Sequence, residues 1–295
     1  MRGRNTPISY TAFIALYVAS AVAGIAAALA VIVGWRGVSM SRFTASVRYN
    51  LLYILILGGA PLLLLLEHAF VSPSTDSKEI IYTNWLFSAG GGAIRILQDR
   101  LDYQVVADFS ILVYVWVYTF ILYFTPILIL VLDDRATFRR YSIAMLFNYV
   151  VLLPFYLFFP VTVTGFYAES GMTPLLYIDT NWGRMVTSVD PLNNDFPSAH
   201  VSLIVTALFV LVSAGTDYRR YYYFVACSAI GITFSVLYLG VHWLADVFAG
   251  FVLAIGAYVV SGNGRVQMTF DRYVRRLSDR FASAKASKDE RSPET

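Results

Sequence analysis

Residues 198–260 read SAHVSLIVTALFVLVSAGTDYRRYYYFVACSAIGITFSVLYLGVHWLADVFAGFVLAIGAYVV, and this stretch decides the fold. Three apolar runs, about 198–214, 221–241 and 244–261, are parted by a polar turn at Asp217–Arg220 and a short break at His242. Each approaches the roughly 20 apolar residues that carry a helix across a bilayer. The first run leads away from His200, and the second returns to His242. A helical hairpin of this kind sets both histidines at the same face of the membrane.

Working outward, four further runs of similar character lie at about 8–33, 51–70, 107–132 and 141–161. Pro126, Pro154 and Pro160 fall within or at the ends of these runs, where neighbouring helices can satisfy freed carbonyls. The expected fold is an all-α polytopic bundle of six to seven transmembrane helices. Of the 295 residues, 58% are hydrophobic and 14% charged, and mean hydropathy is +0.62. A chain of that composition has the bilayer as its solvent. A lone Cys227 excludes a disulfide framework, and a net charge of +3 is too small to suggest nucleic acid. The first run is too long for a cleavable signal and lacks a cleavage site.

Basic residues sort the connecting loops. Arg36, Arg42 and Arg48, then Arg135, Arg139 and Arg140, then Arg219 and Arg220, and the tail from Arg265 to Arg280 fall on one side, which is expected to be cytoplasmic. Arg2 and Arg4 oppose that orientation. The loops at about 71–106 and 162–197 mix acids and bases and belong outside, giving an outer N-terminus and an inner C-terminus. Trp85, Trp182 and Trp243 then reach the outer boundary as an aromatic belt, and Ile80–Gln98 reads as interfacial or re-entrant. Residues 1–106 form N-terminal spans with an outer interfacial segment, 107–261 a catalytic helix bundle, and 262–295 a basic tail with a disordered end beyond about Lys285. Arg272, Arg275 and Arg276 are suited to anionic headgroups or to enforcing topology.

Asn193-Asn194-Asp195-Phe196-Pro197-Ser198-Ala199-His200 has the character of a helix start. Asn and Asp are cap residues, and Pro suits a first turn. The exposed N–H groups of Ser198 to His200, with the Ser198 hydroxyl, make a phosphate cradle. In His242-Trp243-Leu244-Ala245-Asp246 the carboxylate stands four residues after the histidine and can hold its far ring nitrogen. The division of labour expected from this order is attack on phosphorus by His200 and protonation of the leaving alkoxide by His242, which later activates the acceptor. A metal held by His200, His242 and Asp246 is the rival chemistry. It would occupy the nucleophile, so no metal and no cofactor are expected. His68, beside Glu67, reads as an interfacial side chain.

Pro-Ser-X-His, a hydrophobic hairpin and His-X-X-X-Asp together resemble the type 2 phosphatidic-acid phosphatase superfamily. More narrowly, Phe196–His200 with Leu239–Gly250 looks like the branch related to inositol phosphorylceramide synthases. The resemblance covers about residues 140–260 and implies a helical membrane core, a phosphohistidine intermediate and no metal. Two departures stand out. The superfamily's first motif, a lysine followed seven places later by Arg-Pro, is not matched by Lys78, Lys285 or Lys288. In its third motif Ser235 is present, but Val236 stands where an arginine is usual. Replacement phosphate-binding cations are sought in Arg184 and Arg95, with Ser198 as a further donor.

The function so implied is an integral membrane lipid phosphatase, with its substrate a membrane lipid and its active site on the non-cytoplasmic face, in the cell membrane. The alternatives are a head-group phosphotransferase and a non-catalytic transporter on the same scaffold. The sequence carries no signal for an oligomeric state.

Overall fold

Each long apolar run of the sequence is a helix. The computed structural model describes residues 9–34, 37–70 and 77–290, and every regular element among them is helical: α1 (Tyr10–Ile32), α2 (Met40–Tyr49), α3 (Leu51–Phe70), α4 (Ser77–Ser88), α5 (Arg95–Arg100), α6 (Gln104–Ile111), α7 (Tyr118–Val131), α8 (Arg135–Phe158), α9 (Leu175–Ile178), α10 (Thr180–Thr187), α11 (Ala199–Ala214), α12 (Arg219–Tyr238), α13 (Leu244–Gly262) and α14 (Gly264–Glu290). A π-helical segment, Leu112–Val117, joins α6 to α7. Among the described residues, five helical stretches are long and apolar enough to cross a membrane: Tyr10–Ile32, Gln104–Val131, Arg135–Phe158, Thr216–Tyr238 and Leu244–Gly262. The pair α2–α3, bent by 71°, makes a sixth if it is one span.

The remaining one of the seven expected spans, α11, has only 16 residues. At 1.5 Å per residue it is about 24 Å long, short of the ~30 Å hydrocarbon core. Its surroundings explain this. Most of α11 is buried from Val201 to Leu211, packed among α7, α8, α12 and α13, so protein and not lipid sets its length. Asn148 of α8 donates to Thr206 Oγ1 of α11 at 3.0 Å, satisfying two polar groups inside that packing. At the other side a Cβ on Gly250 of α13 would stand 2.8 Å from the Ser198 carbonyl. Close approach of this kind needs a small residue, and it brings the start of α11 against the start of α13. Gly250→Val is expected to destabilise the protein by about 1–3 kcal/mol through overpacking. Unfolding of the purified protein in detergent reads this, and unchanged stability would contradict the close contact.

Contacts draw the basic loops to one end of the bundle. Arg139 pairs with Asp271 of α14 at 2.9 Å and with Gln267 at 3.0 Å, and Tyr53 donates to the same aspartate. Arg140 reaches Ser213 at the end of α11 and stacks over Tyr258, while Arg135 lies over Tyr49. The histidines sit at the opposite end of α11 and α12. Arg2, Arg4 and Arg36, and the side chains of Glu67, His68, Lys285 and Lys288, lie outside the described residues.

Helix α14 is described as far as Glu290. One expectation needs correction. Trp243 is not part of an interfacial belt: it is fully buried, with its Nε1 donating to the Thr162 carbonyl at 2.9 Å. Its ring fills the space beside Gly91, so the broken helices α4 and α5 of the Ile80–Gln98 segment lie over the start of α13. Trp85 is well exposed, and Trp182 meets the edge of Phe13.

Candidate active site

Helix α12 ends in a left-handed turn at Gly240, φ 75°. The N–H groups of Val241 and His242 both fold back to the Val236 carbonyl, at 3.1 and 3.0 Å, which closes the helix end and aims His242 inward. Asp246 then caps its own helix, its Oδ2 accepting the Trp243 N–H at 2.7 Å. Val236, which stands where the superfamily's third motif has arginine, is buried in the core.

The loop that carries the other histidine is pinned by long-range bonds. Val161 N–H donates to the Asn193 carbonyl at 2.9 Å and Val163 N–H to that of Leu192 at 3.0 Å, and Tyr156 donates to the Pro197 carbonyl at 3.1 Å. Helix α11 starts at Ala199, two residues after Pro197, with Ser198 as the N-cap accepting from Val201 N–H at 3.4 Å. The Ser198 N–H is committed to the Asp246 carbonyl at 3.1 Å. Ser198 therefore ties the two motifs together, and Ala199 and His200 keep N–H groups with no intrahelical acceptor.

These constraints bring the two imidazoles together edge to face, with their planes 63° apart. His200 Nδ1 lies 3.2 Å from His242 Nε2. Behind His242, its Nδ1 is 2.5 Å from Asp195 Oδ1 and 3.6 Å from Asp246 Oδ2. The closer carboxyl is thus Asp195, which sequence reasoning treated only as a cap; it approaches His242 Nδ1 as an ion-pair contact without hydrogen-bond geometry, and the expected i,i+4 partner stands farther off. Burial pushes the Asp195 carboxyl well above the usual carboxylate range, opposed in part by the neighbouring Asp246 carboxyl and reinforced by the Asp190 charge. Two carboxyls enclosed this closely do not both ionise without a proton to share.

Asp195, His242 and Asp246 offer ligand atoms within 4.8 Å of one another, a spacing open to a metal ion. The shortest separation argues for a proton. Tetrahedral ligands about 2.0–2.1 Å from zinc stand well over 3 Å apart, whereas Nδ1 and Oδ1 are 2.5 Å apart. The donor set fits an oriented base better than a metal centre. Metal chelators are accordingly expected to leave turnover unchanged; loss of activity restored by one added metal would overturn that.

Tyr114 and Tyr118 flank His200, with ring centroids at 4.6 and 4.7 Å. Both belong to the helix that contains the π-helical turn, a distortion that often marks functional sites. The expected cations lie elsewhere. The Arg184 guanidinium sits 4.3 Å over the Tyr10 ring, and Arg95 pairs with Asp99 while its side chain runs along Gly171. No hydrogen bond or ion pair shown among the described residues joins either arginine to His200 or His242. The site's surroundings are aromatic, and its four ionisable groups are nearly inaccessible: His200 8%, His242 3%, Asp195 1% and Asp246 0% exposed.

Neither the curated proteins nor the solved structures contain a match to the chain. A family model described as the PAP2 superfamily matches residues 109–263, which take in the helices around both histidines, the pinned loop and both motifs. Its members are phosphoesterases or phosphotransferases. Over more than half its length, and with its histidines at the centre of the matched region, this chain belongs to the PAP2 superfamily.

Proposed function

We propose that this protein is a membrane lipid phosphatase that hydrolyses a lipid phosphate or diphosphate through a phosphohistidine intermediate. The observation that carries the reading is the file Asp195–His242–His200, a carboxyl behind one imidazole and a second imidazole in front of it. A phosphoryl group transferred to an imidazole leaves a positive ring, and a carboxylate on the far nitrogen stabilises that ring directly. Among the described residues, only His242 of the two has a carboxyl so placed. Attack therefore belongs to His242, the reverse of the order suggested by the sequence, and His200 serves as the acid.

In the first step His242 Nε2 bonds to phosphorus, the bond from phosphorus to the lipid oxygen breaks, and His200 protonates the departing alkoxide. In the second, neutral His200 takes a proton from water as its oxygen attacks phosphorus, the P–N bond breaks, and phosphate leaves. The direct contact of the two rings opens as phosphorus enters between them.

A lipid is favoured by what lies beside the site. Leu244, Phe248 and Val252 form an exposed apolar stripe on α13, immediately after His242, where acyl or isoprenoid chains would run. The site is taken to face the non-cytoplasmic side, since the arginine-rich loops gather at the other end. Burial of all four ionisable groups also suits a second reading, transfer to a lipid alcohol, because a dry pocket disfavours water. Purified protein with a panel of phosphate-labelled lipids, with and without a lipid alcohol, separates the two. Label in free phosphate under both conditions supports hydrolysis, and label in a new lipid supports transfer.

A further inference from the structure

We propose that the Tyr114 hydroxyl binds the phosphoryl group of the substrate, serving as a neutral donor in a site whose third motif has valine in place of arginine. The inference rests on the phosphohistidine reading and concerns how that site holds its substrate. Tyr114 is 3% exposed, and its hydroxyl has no hydrogen-bond partner among the described residues. A buried hydroxyl left unpaired costs stability and is uncommon. Here it lies on a ring packed against His200. Its charged surroundings include Asp190 and Asp195, so it belongs to the side of the bundle where the pinned loop enters.

Its helix is distorted at that point. Tyr114 lies within the π-helical turn Leu112–Val117, where the wider winding changes the direction in which side chains leave the axis. By contrast the neighbouring buried tyrosines are satisfied: Tyr156 donates to the Pro197 carbonyl, Tyr238 to that of Leu101, and Tyr221 pairs with Thr125. An unpaired donor on a ring packed against His200, the acid of the proposed reaction, is what an arriving phosphoryl oxygen would satisfy. Hydrogen bonds to charged groups are the stronger kind.

Tyr114→Phe tests this, with orthovanadate as the phosphoryl mimic and inhibition of turnover and thermal protection as the two readouts. The expected result is a variant that unfolds at the same or a higher temperature, because the unpaired hydroxyl is gone. Its inhibition constant for orthovanadate should rise about tenfold to a hundredfold, and thermal protection by orthovanadate should shrink. An unchanged inhibition constant with unchanged protection would overturn the inference. So would a variant that unfolds at a lower temperature or fails to fold, since the hydroxyl would then have a structural partner. Wild-type protein that neither turns over lipid phosphates nor gains protection would overturn the phosphatase reading itself, and this inference with it.

Discussion

His242→Ala is expected to abolish formation of the phosphoryl-enzyme from every substrate, whereas His200→Ala should recover when the leaving group needs no proton. The contrast follows from the two roles. A general acid contributes about 10²–10⁴ in rate when it protonates a poor leaving group such as an alkoxide. With a nitrophenyl phosphate the departing phenolate is stable unprotonated, and the His200→Ala defect in the first step should contract to about tenfold or less. Loss of the nucleophile has no such remedy, because no P–N bond can form. Measurement of the burst of nitrophenolate in both variants decides the matter. A burst in His242→Ala but not in His200→Ala would return the nucleophile to His200.

Asp195→Asn is expected to lower turnover by about 10³–10⁴ with the fold intact, on the scale known for aspartates that orient catalytic histidines. An amide at that position can donate to His242 Nδ1 and so favour the wrong tautomer, turning the protonated nitrogen toward phosphorus. Asp246→Asn should cost far less, about tenfold. Its Oδ2 lies 3.6 Å from His242 Nδ1 and is engaged with the Trp243 N–H, a bond that an amide oxygen also accepts. Turnover and unfolding temperature of both variants check this. Asp246→Asn proving the more damaging would show that the i,i+4 carboxyl is the true orienting group.

Much of this architecture is legible along the chain because membrane helices are written locally. The apolar runs mark the spans, the turn at Asp217–Arg220 marks the hairpin, and two short motifs mark where the histidines meet. What the chain does not disclose depends on distant contacts. Asp195 comes to stand behind His242 because Val161 and Val163 hold residues 192–193 across the histidine end of the bundle, and no spacing rule reports that. Trp243 reads as an interfacial residue until Gly91 and Leu86 are seen to enclose it. Tyr114 is one of 21 tyrosines, and nothing in its neighbours along the chain signals the π-helical turn or the unpaired hydroxyl. The shortness of α11 likewise has meaning only once protein is seen to surround it.

The most direct test is to locate the covalent label. Protein incubated briefly with a ³²P-labelled lipid phosphate, denatured under alkaline conditions that preserve phosphohistidine and then digested, should carry the label on the peptide containing His242. The label should disappear in acid and be absent from the His242→Ala variant. Label on the peptide containing His200, or turnover with no trapped label at any quench time, would contradict the mechanism proposed here.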